Sequence, residues 1–267
     1  MADDASSAAL RLVRGNVVQY FGRLAQSYGD GEYYLRRREA VVAAIKDDIA
    51  YARRILDLGC GNGRYLYDFR KLAPEAFAAG ADLSAEMISE ARLRNGADTP
   101  LLRADVTQPP FASGAFDTIF ASHVFQFVAD KDRTMRDLAR CLASGGAIIV
   151  TVGGSGIRGA MRDLVSEEQW TQLAEAAFPS RRAIVAGERE QTHREAMARA
   201  GLAVETRDAK FSVTWNGVVE WIDLRWGPFM NDDQRAIASH VLDEIAPRLF
   251  LRTYDLVERM LIGRKGA

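Results

Sequence analysis

The chain has 267 residues, 48% of them hydrophobic and 27% charged, a balance that suits a globular protein with a substantial buried core. Its 35 basic and 36 acidic residues leave a net charge of −1, which argues against a global pull toward nucleic acid or an anionic membrane. Cys60 and Cys141 are the only cysteines, too few and too dissimilar in setting for a disulfide framework or a cysteine metal site.

The start from Met1 to Ser7 is acidic and small, and no apolar run is long enough for a bilayer, so a cytoplasmic protein is expected. Residues 1 to about 9 read as disordered. Leu10 to Tyr34 carries Tyr20, Phe21, Tyr28, Tyr33 and Tyr34, and Gly29-Asp30-Gly31 breaks it into two helical pieces. The cluster Arg36-Arg37-Arg38 reads as a solvated helix face. Val42, Ile45 and Ile49 form the apolar stripe of the helix that follows.

Ile55, Leu56 and Leu58 form a short buried strand. Glycines at 59, 61 and 63 then require a tight turn, and Leu66, Phe69 and Ala73 recur at helical spacing beyond it. Strand, glycine loop and helix N-terminus make a nucleotide-type site, where free backbone amides attract carboxylate or phosphate oxygens. A dinucleotide fingerprint would need a further glycine where Arg64 stands.

The run Asp57-Leu58-Gly59-Cys60-Gly61-Asn62-Gly63 instead resembles the first motif of the class I S-adenosylmethionine-dependent methyltransferases. Phe77 to Leu83 is a second strand ending in Asp82, nineteen positions after Gly63 and close to the ~20 at which a ribose-binding acid sits in nucleotide folds. Asp82-Leu83-Ser84 with Met87 resembles the second family motif, and Ser84 is placed to cap the next helix, Ala85–Arg94. Pro100 to Asp105 is a third strand, whose Asp105-Val106 end is similar to the third motif. Pro110-Phe111 through Phe116-Asp117 resembles the family's run before the fourth strand, Phe116 to Ser122. Helix Lys131–Leu142, Gly145-Gly146 and strand Ala147–Val152 complete a core in which the resemblance covers about residues 51–152.

Beyond Gly153-Gly154 the pattern loosens. Residues 155 to 190 read as two helical fragments, and Thr192 to Ala200 as a helix closed by Gly201. His193 starts that helix and reads as a surface residue. Val204 to Trp215 and Tyr254 to Ile262 are predicted to pair as strands. A turn at Asn216-Gly217, an aromatic-rich helix, and a helix from Asp233 to Ile245 stopped by Pro247 lie between them.

The expected fold is a doubly wound, mostly parallel seven-stranded Rossmann-like sheet with its last strand antiparallel. Residues 1–50 would form a helical cap, 51–152 the cofactor-binding core, and 153–195 and 214–250 the segments over the acceptor, all in one domain. What the resemblance implies is methyl transfer from S-adenosylmethionine to a small molecule. By the same likeness, Asp57 and the amides of Gly59, Cys60 and Gly61 would hold the methionine end and Asp82 the ribose. Leu83 and Met87 would pack on the adenine, and Asp105 with Val106 would bond it. Ser122 lies at the mouth of the site, and Tyr20 and Tyr28 are placed to close over the cofactor. His123 is the general-base candidate. Trp170, Phe178, Trp215, Trp221, Trp226 and Phe229, all in the second half, suggest an apolar or aromatic acceptor. No metal, nucleic acid or membrane partner is expected, and a homodimer is left open. The rival readings are a fold relative that binds the cofactor without transfer, such as a cyclase, and a nicotinamide-dependent oxidoreductase. A macromolecular methyltransferase is a lesser rival, because Ser122-His123 stands where amino-directed enzymes carry asparagine–proline.

Overall fold

The computed structural model describes residues 18–153, 166–169, 171, 190–226, 231–249 and 251–266. Seven strands form one sheet: β1 (Arg54–Leu58), β2 (Phe77–Asp82), β3 (Leu101–Arg103), β4 (Phe116–Ser122), β5 (Leu142–Gly153), β6 (Ala203–Thr214) and β7 (Thr253–Arg264). Their order is β3-β2-β1-β4-β5-β7-β6. β1 to β5 pair in parallel. β7 runs antiparallel between β5 and β6, so six strands share one direction and the last opposes them, as expected.

The helices are α1 (Glu32–Ala44), α2 (Lys46–Ala50), α3 (Arg64–Leu72), α4 (Ala85–Asn95), α5 (Lys131–Cys141), α6 (Glu190–Arg199), α7 (Trp215–Trp226) and α8 (Asp232–Leu249). Side chains that alternate along the strands feed opposite faces. Ile55 and Phe120 pack with Val41, Leu66 and Phe69 from α1 and α3. Leu56, Leu58 and Ile119 pack with Met135, Leu138 and Met197 from α5 and α6. A third cluster joins Phe211, Val213 and Tyr254 of β6 and β7 to α7, α8 and Tyr33.

Several predicted features differ. The inward stripe of α1 and α2 is Tyr33, Arg37, Val41, Ile45 and Ile49, a strict spacing of four that shifts the buried position from Val42 to Val41. Asn216-Gly217 is no turn. β6 passes directly into α7, and Gly217 serves close approach, since a Cβ there would lie 3.0 Å from Glu32 Oε2. Pro247 lies inside α8. The helix runs on because Ile245 and Leu249 are both fully buried in the third cluster, which outweighs the one hydrogen bond that proline removes. His193 is 2% exposed, its ring centroid 6.1 Å from that of Phe125, so it is a core residue and not a surface one.

Candidate active site

The carboxyl ends of the parallel strands open into a cavity of about 180 Å3. It lies at the switch point where chain order reverses between β1 and β4, the place where open α/β sheets bind ligands. Gly59 turns the chain out of β1 with φ 71°. A Cβ at that position would come 2.2 Å from Val124 Cγ2, so no larger residue fits. The Gly59 and Cys60 N–H groups donate to the Ala81 carbonyl at 2.7 and 3.0 Å. The Gly61 N–H donates to Asp82 Oδ2 at 2.9 Å. Gly63, left-handed at φ 77°, then opens α3.

Asp82 Oδ1 accepts the Ser84 N–H at 2.9 Å. Burial pushes this carboxyl up, while the Ser84, Gly61 and Leu83 amides pull it down. Each oxygen carries one backbone donor, and an ionised carboxylate has about four acceptor sites, so capacity remains for ligand hydroxyls. Ser84 caps α4 by accepting the Met87 N–H at 3.2 Å. Leu83, Met87, Ala104 and Val106 give one wall of the cavity an apolar surface. Asp105 Oδ1 accepts from the Thr107 N–H and Oγ1 at 2.9 and 2.8 Å.

Asn62, which the sequence reading passes over, ties the N-terminal segment to the glycine loop. Its Nδ2 donates to the Ala25 and Tyr28 carbonyls at 2.9 and 2.8 Å. Arg64 Nε donates to the Tyr28 carbonyl at 2.9 Å and its guanidinium pairs with Asp30. Phe21 and Tyr28 therefore border the cavity, with ring centroids 5.5 Å apart.

The far end is a buried polar network. His123 follows β4 with φ 53°, the one described non-glycine residue at positive φ, and strain of this kind in a side chain at a ligand cavity points to function. Its N–H donates to Thr151 Oγ1 at 2.9 Å. Its Nε2 lies 3.0 Å from Glu258 Oε1, which also accepts the Gly153 N–H at 3.2 Å. Burial alone would push the Glu258 carboxyl up, but the charge and hydrogen bond of His123, then Arg37 and the Gly153 amide, hold it at about 2. Arg37 is 7% exposed; its Nε is 3.9 Å from Glu258 Oε2 and its Nη2 donates to Ser122 Oγ at 3.2 Å. The expected solvated face thus holds for Arg36, which pairs with Glu39 at the surface, and fails for Arg37, which falls on the inward stripe of α1, and for Arg38, which pairs with Asp68 at 3.3 Å and borders the cavity.

Gly59, Cys60, Gly61, Asp82, Leu83, Met87, Asp105, Val106, Ser122, His123 and Tyr28 all border the cavity. Two predicted residues do not. Tyr20 packs edge-on against Phe21 at 4.8 Å, and Phe21 takes the place on the wall. Asp57 is 1% exposed. It shares the strand face of Ile55 beneath α3, so it supports the loop from behind. Burial and the charge of Asp82 push its carboxyl up to about 8, against the pull of the Leu66 amide.

Trp215 and Trp221 belong to the third core cluster, not to the cavity, because α7 packs that face against Tyr33 and β6. Trp170, Phe178, the Trp226 side chain and Phe229 lie outside the described residues. Among the described residues none after Phe127 borders the cavity, no group of histidine, cysteine or carboxylate side chains could hold a metal ion, and no helix is long and apolar enough to cross a membrane.

Residues 56–150 match the family model described as a methyltransferase domain. A malonyl-[acyl-carrier protein] O-methyltransferase of Legionella pneumophila is 39% identical over 104 residues, 38% of this chain and 37% of the relative. A trans-aconitate 2-methyltransferase of Rhodopseudomonas palustris is 31% identical over 159 residues, 55% of this chain and 60% of the relative. The chain thus spans 37% and 60% of these two relatives. Among solved structures, the YcgJ protein of Bacillus subtilis superposes with a TM-score of 0.59 at 18% identity, over 86% of this chain and 99% of that one, a likeness of fold. Matched core, glycine loop and strand order agree: residues 56–150 match a methyltransferase domain, and the chain is similar to class I S-adenosylmethionine-dependent methyltransferases.

Proposed function

We propose that the protein transfers a methyl group from S-adenosylmethionine to a small, largely apolar or aromatic acceptor. One observation carries the reading: the bare glycine loop, Asp82 at the tip of β2 and Asp105 beyond β3 face one cavity in the order a nucleoside with an amino-acid tail requires. The residues fit that group. Gly59 and Gly61 put no side chain into the cavity, so a tail can approach the loop. The Gly59, Cys60 and Gly61 N–H groups already donate to the Ala81 carbonyl and Asp82, and are not free to hold it as expected. Asp82 keeps acceptor capacity for ribose hydroxyls. Leu83, Met87 and Val106 offer an apolar slot for adenine beside the Asp105 carboxylate. When bound, S-adenosylmethionine supplies a methyl group on a sulfonium, transferred by displacement.

This chain's own residues bind, align and exclude water. The segment held by Asn62 and Arg64 brings Phe21 and Tyr28 over the glycine loop. Aromatic faces near a sulfonium contribute ~0.5–2 kcal/mol. Phe21, Tyr28, Tyr34, Tyr65 and Phe127 line the cavity and support an apolar or aromatic acceptor. A relative named for trans-aconitate methylation supports a small acceptor; the acceptor in the other relative's name is carried on a protein. His123 takes the acceptor's proton as general base.

Calorimetric titration with S-adenosylhomocysteine tests the site. The expected result is binding that weakens at least about tenfold in Asp82→Ala, in line with the loss of charged hydrogen bonds; full affinity in that variant overturns the assignment. Release of S-adenosylhomocysteine on turnover of an acceptor library separates transfer from cofactor binding alone.

A further inference from the structure

We propose that Arg37, with the Tyr65 hydroxyl beside it, is a carboxylate subsite that selects the acceptor: an apolar or aromatic body bearing one singly charged acid group. The inference rests on the reading that an acceptor binds in this cavity. It goes beyond that reading by naming the charged group the acceptor carries and the residue that selects for it.

Three observations support it. Arg37 is 7% exposed and borders the cavity, so its charge is shielded from bulk water beside the ligand space. Its hydrogen bonds are few for its capacity. A guanidinium has five N–H donors; among the described residues only Nη2 makes a hydrogen bond, to Ser122 Oγ at 3.2 Å, and the buried Nε makes none. Glu258, which does not border the cavity, lies 3.9 Å from Nε, a separation that offsets charge without supplying a hydrogen bond. Tyr65 also borders the cavity. Its hydroxyl lies beside Arg37 and Ser122, is buried, and makes no hydrogen bond of good geometry to either. Buried donors without acceptors are costly, and a ligand that supplies the acceptors is a reason to keep them.

A carboxylate fits these donors in shape and charge. Its two oxygens match two parallel guanidinium N–H groups, and the Tyr65 hydroxyl can donate to the same group. A phosphate dianion is disfavoured, because Glu258 already offsets the one positive charge. Tyr34 gives the subsite an apolar side: the Arg37 guanidinium carbon lies 5.6 Å from its ring centroid, and the Tyr28 ring is 5.4 Å further on. Through Ser122 the subsite adjoins His123, at the far end of the cavity from the adenine slot, which assigns it to the acceptor. The carboxylate of S-adenosylmethionine itself is the competing occupant, and the test separates the two.

The test is calorimetric titration of the whole chain saturated with S-adenosylhomocysteine, using benzoate, trans-cinnamate and octanoate, each beside its uncharged amide. The expected result is that at least one acid binds about tenfold or more tighter than its amide. Arg37→Met should abolish that preference and leave S-adenosylhomocysteine affinity within about threefold of wild type. Arg37→Lys, a charge without the fork, should recover only part of it, and Tyr65→Phe should weaken the acid about threefold. Should Arg37→Met fail to fold with Glu258 stranded, Arg37→Met combined with Glu258→Gln removes both buried charges and is read in the same way. Equal affinity for acid and amide in the wild type, no binding of any of the three acids, or a preference that survives in folded Arg37→Met overturns the proposal. A second arm titrates 5′-methylthioadenosine, the nucleoside without the amino-acid tail, into the cofactor-free chain. If Arg37→Met weakens S-adenosylhomocysteine but not methylthioadenosine, the guanidinium serves the cofactor's own carboxylate and the acceptor assignment is overturned. Failure of the wild type to bind S-adenosylhomocysteine would instead sink the cofactor reading, and the acids and amides would then be titrated into the cofactor-free chain and read in the same way.

Discussion

Replacing Asp57 by asparagine should stabilise the cofactor-free protein at alkaline pH and flatten its stability against pH. The Asp57 carboxyl is sealed beneath α3 with Asp82 as its charged neighbour, and its pKa rises from 3.8 to about 8. A carboxyl raised in this way keeps its proton in the folded protein where the unfolded chain has lost it. Its contribution is fully present below pH ~4 and drains away as pH rises through ~8. At ~1.4 kcal/mol per pH unit the interval from 3.8 to about 8 sets a ceiling of ~6 kcal/mol. Coupling to Asp82 and local relaxation reduce the expected loss between pH 5 and 8.5 to about 2–3 kcal/mol, or about 4–12 °C in Tm for a chain of this size. Glu258, held at about 2, titrates below this window, so the difference reads Asp57 together with the Asp82 and Cys60 groups whose charges couple to it. The assay is a thermal melt of wild type and Asp57→Asn at half-unit intervals across that range without cofactor. If the two lose stability in parallel, the buried carboxyl is not protonated and the argument fails.

Two further substitutions probe how the site is held. Asn62→Ala removes both bonds that pin the Ala25 and Tyr28 carbonyls; it should cost about 2 kcal/mol, speed hydrogen exchange across residues 25–30 and weaken S-adenosylhomocysteine about tenfold. Exchange that stays slow there would mean the segment is anchored by other contacts. Pro247→Ala returns an N–H to an exposed position inside α8 and should raise stability by about 1–3 kcal/mol in urea unfolding. A neutral or destabilising result would mean that the chain is not helical across that proline.

The glycine-loop half of the site was legible because its signals are local. Asp57 to Gly63 carries a turn that only glycine can make, and the strand-end positions of Asp82 and Asp105 follow from short alternating segments on either side of α4. Ser84 was identifiable as a cap from its place alone. The residues that escaped notice act across the chain. Asn62 lies inside the motif, but its partners are carbonyls of the N-terminal segment, which no periodicity announces. Asn216-Gly217 carried a genuine turn signal, which tertiary packing overrode: the glycine was needed for approach to Glu32, and β6 ran straight into α7.

Arg37 and Glu258 sharpen the point, because each stood in plain view under a rule that was available. Tyr33, Arg37, Val41, Ile45 and Ile49 repeat every four residues, and the four others in that register are apolar, so the arginine had to face inward. In β7, Tyr254, Leu256 and Met260 face the core, and an alternation of two puts Glu258 among them. A charge at one inward position is costly, and two buried charges of opposite sign near opposite ends of the chain offset each other only when the fold brings them together. The pair was therefore a prediction of contact between α1 and β7, and the imidazole they meet is one that borders the cavity. A buried arginine and a buried glutamate that converge on a histidine in a strained backbone conformation are expensive to keep for packing alone. That expense is the physical reason to look for chemistry at His123.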